Sequence, residues 1–372
     1  MKVKNIKLII IAGVFFIISG ACWLMPDKEF SESERRPLAQ KPEISMENLL
    51  SGQLESDVEK YTADQFPLRE TFRNLKALAE YGLFMKKDNN DIYIENGHAA
   101  KILYPYSDKS VTNATDIFRM IYEEYIRGTQ TDSEGRIFTA VIPDKGYYLA
   151  GEAGIPSIDY NQMFAQVIKE MDYAKYIDLT GALDADSYYK TDLHWRQEKL
   201  LSVAEAVGKA MGLELSGLDE LKQETATESF QGVYKGQSGL ALKAEPLYYM
   251  TDETIEGCST FNFETNEEGK VYDLDRLKGK DPYDVFLSGA TALITVENPM
   301  AASKTDRELI IFRDSFGSSL APLLISDYSK ITLVDLRYIN WSYLKQFVEF
   351  DNQDILFIYG TTLLNDSYTL KR

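Results

Sequence analysis

Five short apolar runs constrain the fold of this chain more than any other feature. They are Arg136–Ile142 (RIFTAVI), Ala174–Leu179 (AKYIDL), Glu308–Phe312 (ELIIF), Ile331–Leu336 (ITLVDL) and Asp354–Tyr359 (DILFIY). A short run that is apolar throughout has two faces to bury, as a strand does inside a parallel sheet covered on both sides. Helix-period patterns at Asn113–Arg127, Tyr160–Met171, Trp195–Met211 and Trp341–Phe350 separate several of the runs and supply the covering layers. The expectation is an α/β fold, a parallel sheet with helices on both faces. Reactive groups in such sheets gather beyond the carboxyl ends of the strands. Residues 214–305 interrupt the alternation and are rich in Gly, Tyr, Thr and acids. They are expected to form a loop-rich, β-containing insertion that walls the site.

The N-terminus sets the compartment. Lys2, Lys4 and Lys7 precede the uncharged stretch Leu8–Met25 (LIIIAGVFFIISGACWLM). At ~1.5 Å per residue that stretch spans roughly 27 Å, about the thickness of a bilayer core. The lysines favour a cytoplasmic N-terminus, which places the main domain outside the cell membrane, extracellular or periplasmic. Residues 1–25 are therefore expected to be a retained signal anchor, a single transmembrane helix. Cleavage near Ser19-Gly20-Ala21 and lipidation at Cys22 stand as alternatives, and all three export the chain. Residues 26–45 read as a juxtamembrane linker. Residues 46–372 then form the main domain, with a helical extension over 46–85: Leu49, Leu50, Leu54, Val58 and Tyr61 recur at helical spacing, Phe66-Pro67 breaks the run, and Leu75, Leu78 and Tyr81 resume it.

The net charge is −18, and the first 25 residues hold three lysines and no acid, so the remainder is more acidic still. Such a surface repels phosphate backbones, which excludes nucleic acid as a partner. The two cysteines, Cys22 and Cys258, have no zinc-type spacing, and no metal is expected.

The chemistry-bearing residues fall at strand ends. Glu308–Phe312 runs into Arg313-Asp314-Ser315-Phe316-Gly317, which places Ser315 between a strand and a helix. There a hydroxyl can act as a nucleophile beside backbone N–H groups that stabilise an oxyanion, or it can simply cap the helix. Tyr188–Trp195 reads YYKTDLHW and carries His194, one of only two histidines in the chain. In an extended loop, residues two apart project to the same side. Asp192 could then orient His194 as a base for Ser315. The competing reading makes Asp192 or Thr191 a helix cap and His194 a first-turn filler. Both readings stand open on the residues alone.

The combination resembles the DHHW family and the alginate O-acetyltransferase-like proteins of the SGNH-hydrolase superfamily. The resemblance rests on Glu34–Leu38, Ser51–Glu55, Tyr61–Arg69, Ile142–Lys145, Tyr188–Trp195, Arg313–Leu320 and Val334–Tyr338, in order across roughly residues 30–360. It implies an SGNH-like (flavodoxin-like) fold with Ser315 as nucleophile, His194 as base and Asp192 as its orienter. It further implies O-acyl transfer, most simply of acetyl, to an exopolysaccharide or cell-wall glycan. A polysaccharide acceptor and a membrane partner that supplies acetyl follow, with no cofactor. The family name implies a second histidine where Leu193 stands, and the alginate enzymes also lack it. The superfamily expects a glycine and an asparagine as additional oxyanion donors. Ser288-Gly289-Ala290 offers only the glycine, so Gly289, Arg313 or Asn298 is the candidate donor. Lys145 is expected to hold an anionic substrate group or to be a solvated loop residue. Tyr188 is expected to stack on a sugar or to pack on its neighbouring helix. Arg337 and Tyr338 fall on the same side of the sheet, Arg337 as a substrate contact or as half of an ion pair. A non-catalytic carbohydrate-binding or assembly protein on the same fold is the alternative function.

Overall fold

A computed structural model describes residues 13, 16–18, 20–215, 217–303 and 305–372. Part of the expected transmembrane helix, residues 8–12, 14, 15 and 19, lies outside them. Among the described residues no helix is long and apolar enough to cross a membrane. The chain divides into two compact units, Met1–Ile92 with Val233–Leu242, and Tyr93–Gly232 with Lys243–Arg372.

Among the described residues the first unit includes α1 (Met46–Ser51), α2 (Gln53–Asp64) and α3 (Arg69–Leu78), with a π-helical turn at Ala79–Leu83 and a further helix at Val233–Ser238. Ser45 caps α1 through the Asn48 N–H, and Gly52 turns the chain from α1 into α2 with φ +77°. The helical extension is thus present, with its break where Phe66-Pro67 stands. The segment expected as a linker is instead folded onto α2. Phe30–Ser31 pairs with Arg36–Pro37, and the Arg36 guanidinium forks onto Asp64 at 2.6 and 2.8 Å.

Besides a small separate sheet that includes His98–Lys101, the second unit contains ten strands among the described residues. They are β1 (Ile137–Ile142), β2 (Lys175–Ile177), β3 (Lys222–Phe230), β4 (Glu245–Thr251), β5 (Ser259–Asn262), β6 (Glu267–Gly269), β7 (Leu293–Glu297), β8 (Glu308–Arg313), β9 (Lys330–Val334) and β10 (Asp354–Gly360). Eight of them form one sheet in the order β6-β5-β7-β9-β8-β10-β1-β2. The five from β9 to β2 are parallel, and these are the five apolar runs of the sequence. Alternate residues feed two cores. Leu309 and Ile311 pack with Val203, Val207 and Leu320, while Ile310 and Phe312 pack with Phe118, Met163 and Val167. The covering helices are α4 (Asp108–Ile121) and α6 (Tyr160–Glu170) on one face, and α7 (Leu201–Met211) and α8 (Phe316–Leu324) on the other. A further helix, α5 (Lys145–Ala153), follows β1.

Four expectations are corrected. The sheet is mixed, because β7, β5 and β6 extend it in antiparallel pairing. These strands come from residues 214–305, so that segment is part of the main sheet as well as an inserted hairpin of β3 and β4. The helix expected from Trp195 begins at Leu201, and the chain before it is a turn and a short 3-10 segment. The pattern at 341–350 becomes a 3-10 turn at Trp341–Gln346, whereas the helix expected at 113–127 is present as α4 and a π-helical turn at Tyr122–Ile126.

Candidate active site

The site lies at the carboxyl edge of the parallel strands. β8 ends at Arg313, and Ser315 follows Asp314 at the entry to α8. The buried Asp314 carboxylate accepts the Phe316 N–H at 3.1 Å and the Gly360 N–H at 2.8 Å, which ties the serine turn to the end of β10. Burial raises the pKa of that carboxyl, and the two N–H groups oppose the shift.

His194 comes from a hairpin-like loop and not from a helix start. Tyr188 bridges to Trp195, Tyr189 N–H donates to His194 O at 3.0 Å, and Arg196 N–H donates to Ser187 O at 2.8 Å. Inside this loop the fully buried Asp192 accepts the His194 backbone N–H at 3.0 Å and the ring Nδ1–H at 2.6 Å. With Nδ1 donating, Nε2 is left as the acceptor. It lies 2.7 Å from Ser315 Oγ. The three residues singled out in the sequence are therefore in one hydrogen-bonded line, and the capping reading of Asp192 is overturned: the carboxylate bonds His194 and no helix begins there.

The loop is held from several sides. Glu245 accepts the N–H groups of Lys190 and Thr191 and the Thr191 hydroxyl. Gly232 donates to Thr191 Oγ1 at 2.9 Å. A Cβ on Gly232 would lie 2.3 Å from both Thr191 O and Asp192 Cβ, so only glycine fits. His194 stacks on Tyr283, whose hydroxyl meets Ser319 Oγ at 2.7 Å. Ser319 Oγ also accepts the Trp195 indole N–H at 2.7 Å.

Lys145 and Tyr188 reach this loop from within and do not face a substrate. The Lys145 ammonium, 2 % exposed, donates to Tyr189 O at 2.9 Å. Burial pushes its pKa down to about 7 against the pull of Asp192, Glu245 and Asp144. Tyr188 is buried, with its hydroxyl on Pro143 O. The two residues thus clamp the His194 loop to the end of β1, which for Tyr188 agrees with the packing reading. Arg313 is also sealed, 0 % exposed, its Nη1 3.5 Å from Asp335, and it presents no donor to a substrate. Asp335 is shared with Arg337, which binds it through Nε at 2.9 Å and Nη2 at 2.6 Å, so the ion-pair reading of Arg337 holds. Tyr338 is 43 % exposed and lies under the Arg337 guanidinium.

Gly289 sits just before β7, whose Leu293 pairs with Val334 at the same sheet edge as Ser315. Leu287, Ser288 and Gly289 have φ of 53°, 57° and 88°, and a Cβ on Gly289 would fall 2.3 Å from Asp284 Oδ1. The Gly289 N–H is spent on Phe286 O at 3.1 Å. Asn298 caps the turn at Met300 and Ala301 and donates to Ile325 O, so it is a structural residue. Among the described residues no group of three or more His, Cys, Asp or Glu side chains is arranged to hold a metal ion. The sequence reading missed Tyr283, Ser319, Glu245 and Gly232. The only local signal was Asp281-Pro282, which marks a turn at Tyr283 without linking it to His194.

No protein-family profile and no curated protein matches the chain in sequence. Solved structures do match in three dimensions. A DHHW family protein from Eubacterium siraeum superposes with a TM-score of 0.60 at 19 % identity, over 77 % of this chain and 98 % of that one. PatB1 of Bacillus cereus, solved with a sulfonyl adduct, gives a TM-score of 0.56 at 16 % identity, over 76 % of this chain and 100 % of that one. The chain thus shares its fold with the DHHW family protein and PatB1, and its sequence motifs resemble the same family.

Proposed function

We propose that the protein is an exported, membrane-anchored, serine-dependent O-acyltransferase or esterase that acts on an extracellular or cell-wall polysaccharide. The observation that carries this reading is the unbroken line from Asp192 through His194 to Ser315, at 2.6 and 2.7 Å. Ser315 Oγ attacks an acyl carbonyl while its proton passes to His194 Nε2. Asp192 stabilises the imidazolium that forms. The amino end of α8 beside Ser315 adds partial positive charge for the developing oxyanion. Collapse expels the donor's oxygen, which takes the proton from Nε2. A glycan hydroxyl, or water, then gives its proton to Nε2 and attacks the acyl-serine, and Ser315 leaves with that proton. The motif resemblance points to acetyl as the acyl group, and a membrane partner would deliver it to the outer face. Leu8–Met25 would hold the chain in the cell membrane with the second unit outside.

A second reading, a non-catalytic carbohydrate-binding or assembly protein, is favoured by one observation. Neither the sealed Arg313 nor the occupied Gly289 amide is available as an oxyanion donor. Turnover of an activated acetyl ester separates the two. Catalysis predicts hydrolysis that is lost in Ser315→Ala and His194→Ala, and acetyl transfer when a glycan acceptor is added. Turnover absent from the folded wild type favours the binding protein.

A further inference from the structure

Helix α3 is amphipathic in the reverse of the usual sense. Its charged stripe faces inward: Arg69 and Arg73 are each only 15 % exposed and bind Glu34 at 2.6 and 3.2 Å. Arg73 also donates to Gly236 O at 2.8 Å, and Ala77, one turn on, is fully buried. The opposite side carries Leu68, Phe72, Leu75 and Leu78, exposed by 73, 49, 59 and 67 %. Phe72, Leu75 and Leu78 recur at helical spacing and form one apolar face, and Leu68 stands just before the helix begins. Nearby in sequence, Leu49 and Leu50 of α1 are 57 and 81 % exposed. A contiguous apolar face of this kind marks a surface made for a partner or a membrane.

We infer that the apolar face of α3 lies in the headgroup region of the lipid bilayer and seats the first unit flat on the membrane. The choice of lipid rests on where the apolar N-terminal segment ends. Cys22 O accepts the Tyr61 hydroxyl at 3.2 Å, and the Trp23 ring packs on Tyr61 of α2 with 5.2 Å between centroids. The last residues of Leu8–Met25 are therefore held directly on the helical unit, with no free spacer between them. A chain that leaves a bilayer at Met25 brings this unit to the headgroups at once. Contact between the face and lipid is then intramolecular in effect, so even a modest apolar face engages. The inward arginines fit the same picture, because Glu34, Asp64 and Glu70 pair with them, and Lys76 at the flank of the apolar face suits an anionic headgroup. The inference rests on the anchor reading of Leu8–Met25.

The test uses the full chain in vesicles of phosphatidylcholine and phosphatidylglycerol. A fluorophore is placed on Leu75→Cys, and in a second protein on Glu59→Cys of α2; the native cysteines are buried. Nitroxide-bearing lipids are expected to quench the Leu75 label several-fold more than the Glu59 label. Adding Leu68→Ser, Phe72→Ser and Leu78→Ser is expected to abolish the difference. Equal quenching of the two labels in vesicle-bound protein overturns the lipid contact and leaves the anchor standing. Failure of the chain to float with vesicles overturns the anchor, and the inference with it. Cross-linking of Leu75→Cys between two copies, without quenching, overturns it in favour of self-association.

Discussion

The imidazole of His194 lies flat on the ring of Tyr283, with 3.8 Å between centroids and 6° between planes. The electron-rich face of a phenol favours a positive ring above it, and such contacts contribute about 0.5–2 kcal/mol. Tyr283 therefore favours the imidazolium formed when Ser315 gives up its proton. Tyr283→Leu is expected to lower kcat for ester hydrolysis by about tenfold, with KM little changed. Tyr283→Phe keeps the stack and is expected to retain most of the rate. Steady-state kinetics decide; an effect confined to KM contradicts the role.

Asp192 fixes which nitrogen of His194 faces Ser315. Asp192→Asn keeps the size of the side chain but can present an N–H to Nδ1, which favours the wrong tautomer. A loss of kcat on the order of 10⁴ is expected, by analogy with the Ser-His-Asp enzymes. The loss should appear with an unchanged melting temperature or a small shift; a fully active Asp192→Asn protein contradicts the assignment.

The buried Lys145 makes stability depend on pH. Its pKa is pushed down to about 7 in the folded protein from the ordinary lysine value of 10.5. Between those values the unfolded chain binds a proton that the folded protein lacks, so this group's contribution to stability rises with pH. The rise begins as pH passes about 7, with a slope approaching 1.4 kcal/mol per pH unit. Urea unfolding from pH 7 to 9 should show the slope in the wild type and a flatter curve in Lys145→Met. Parallel curves contradict it.

Gly232 sets the seat of the Asp192 loop. In Gly232→Ala the new Cβ meets Thr191 O and Asp192 Cβ at 2.3 Å, so the loop must move. Overpacking of this kind costs about 1–3 kcal/mol. The expected result is a lower melting temperature together with a loss of turnover. A destabilised protein of normal activity would show that the displacement stays away from His194.

The parallel half of the sheet was legible because its strands are apolar throughout, and that pattern depends on few neighbours. The antiparallel strands β5, β6 and β7 were not separately legible. Ser259–Asn262 and Glu267–Gly269 are short and mixed, and they become strands only by pairing along the edge set by Leu293–Glu297. Ser315, His194 and Asp192 were legible by position and by resemblance. Their supports were not, since Tyr283, Glu245 and Gly232 act across long sequence separations. Lys145 was read toward a substrate or solvent because lysine carries a charged end, and for Tyr188 a sugar contact and packing both stood open. The fold buries both by giving those ends the carbonyl oxygens of Tyr189 and Pro143.

The most direct test of the central claim is covalent labelling with a sulfonyl fluoride, followed by peptide mapping. The account predicts one adduct, on Ser315, that forms in the wild type and fails to form in folded His194→Ala. Labelling at the same rate in both proteins, or at any other residue in place of Ser315, would contradict activation of this serine by this histidine.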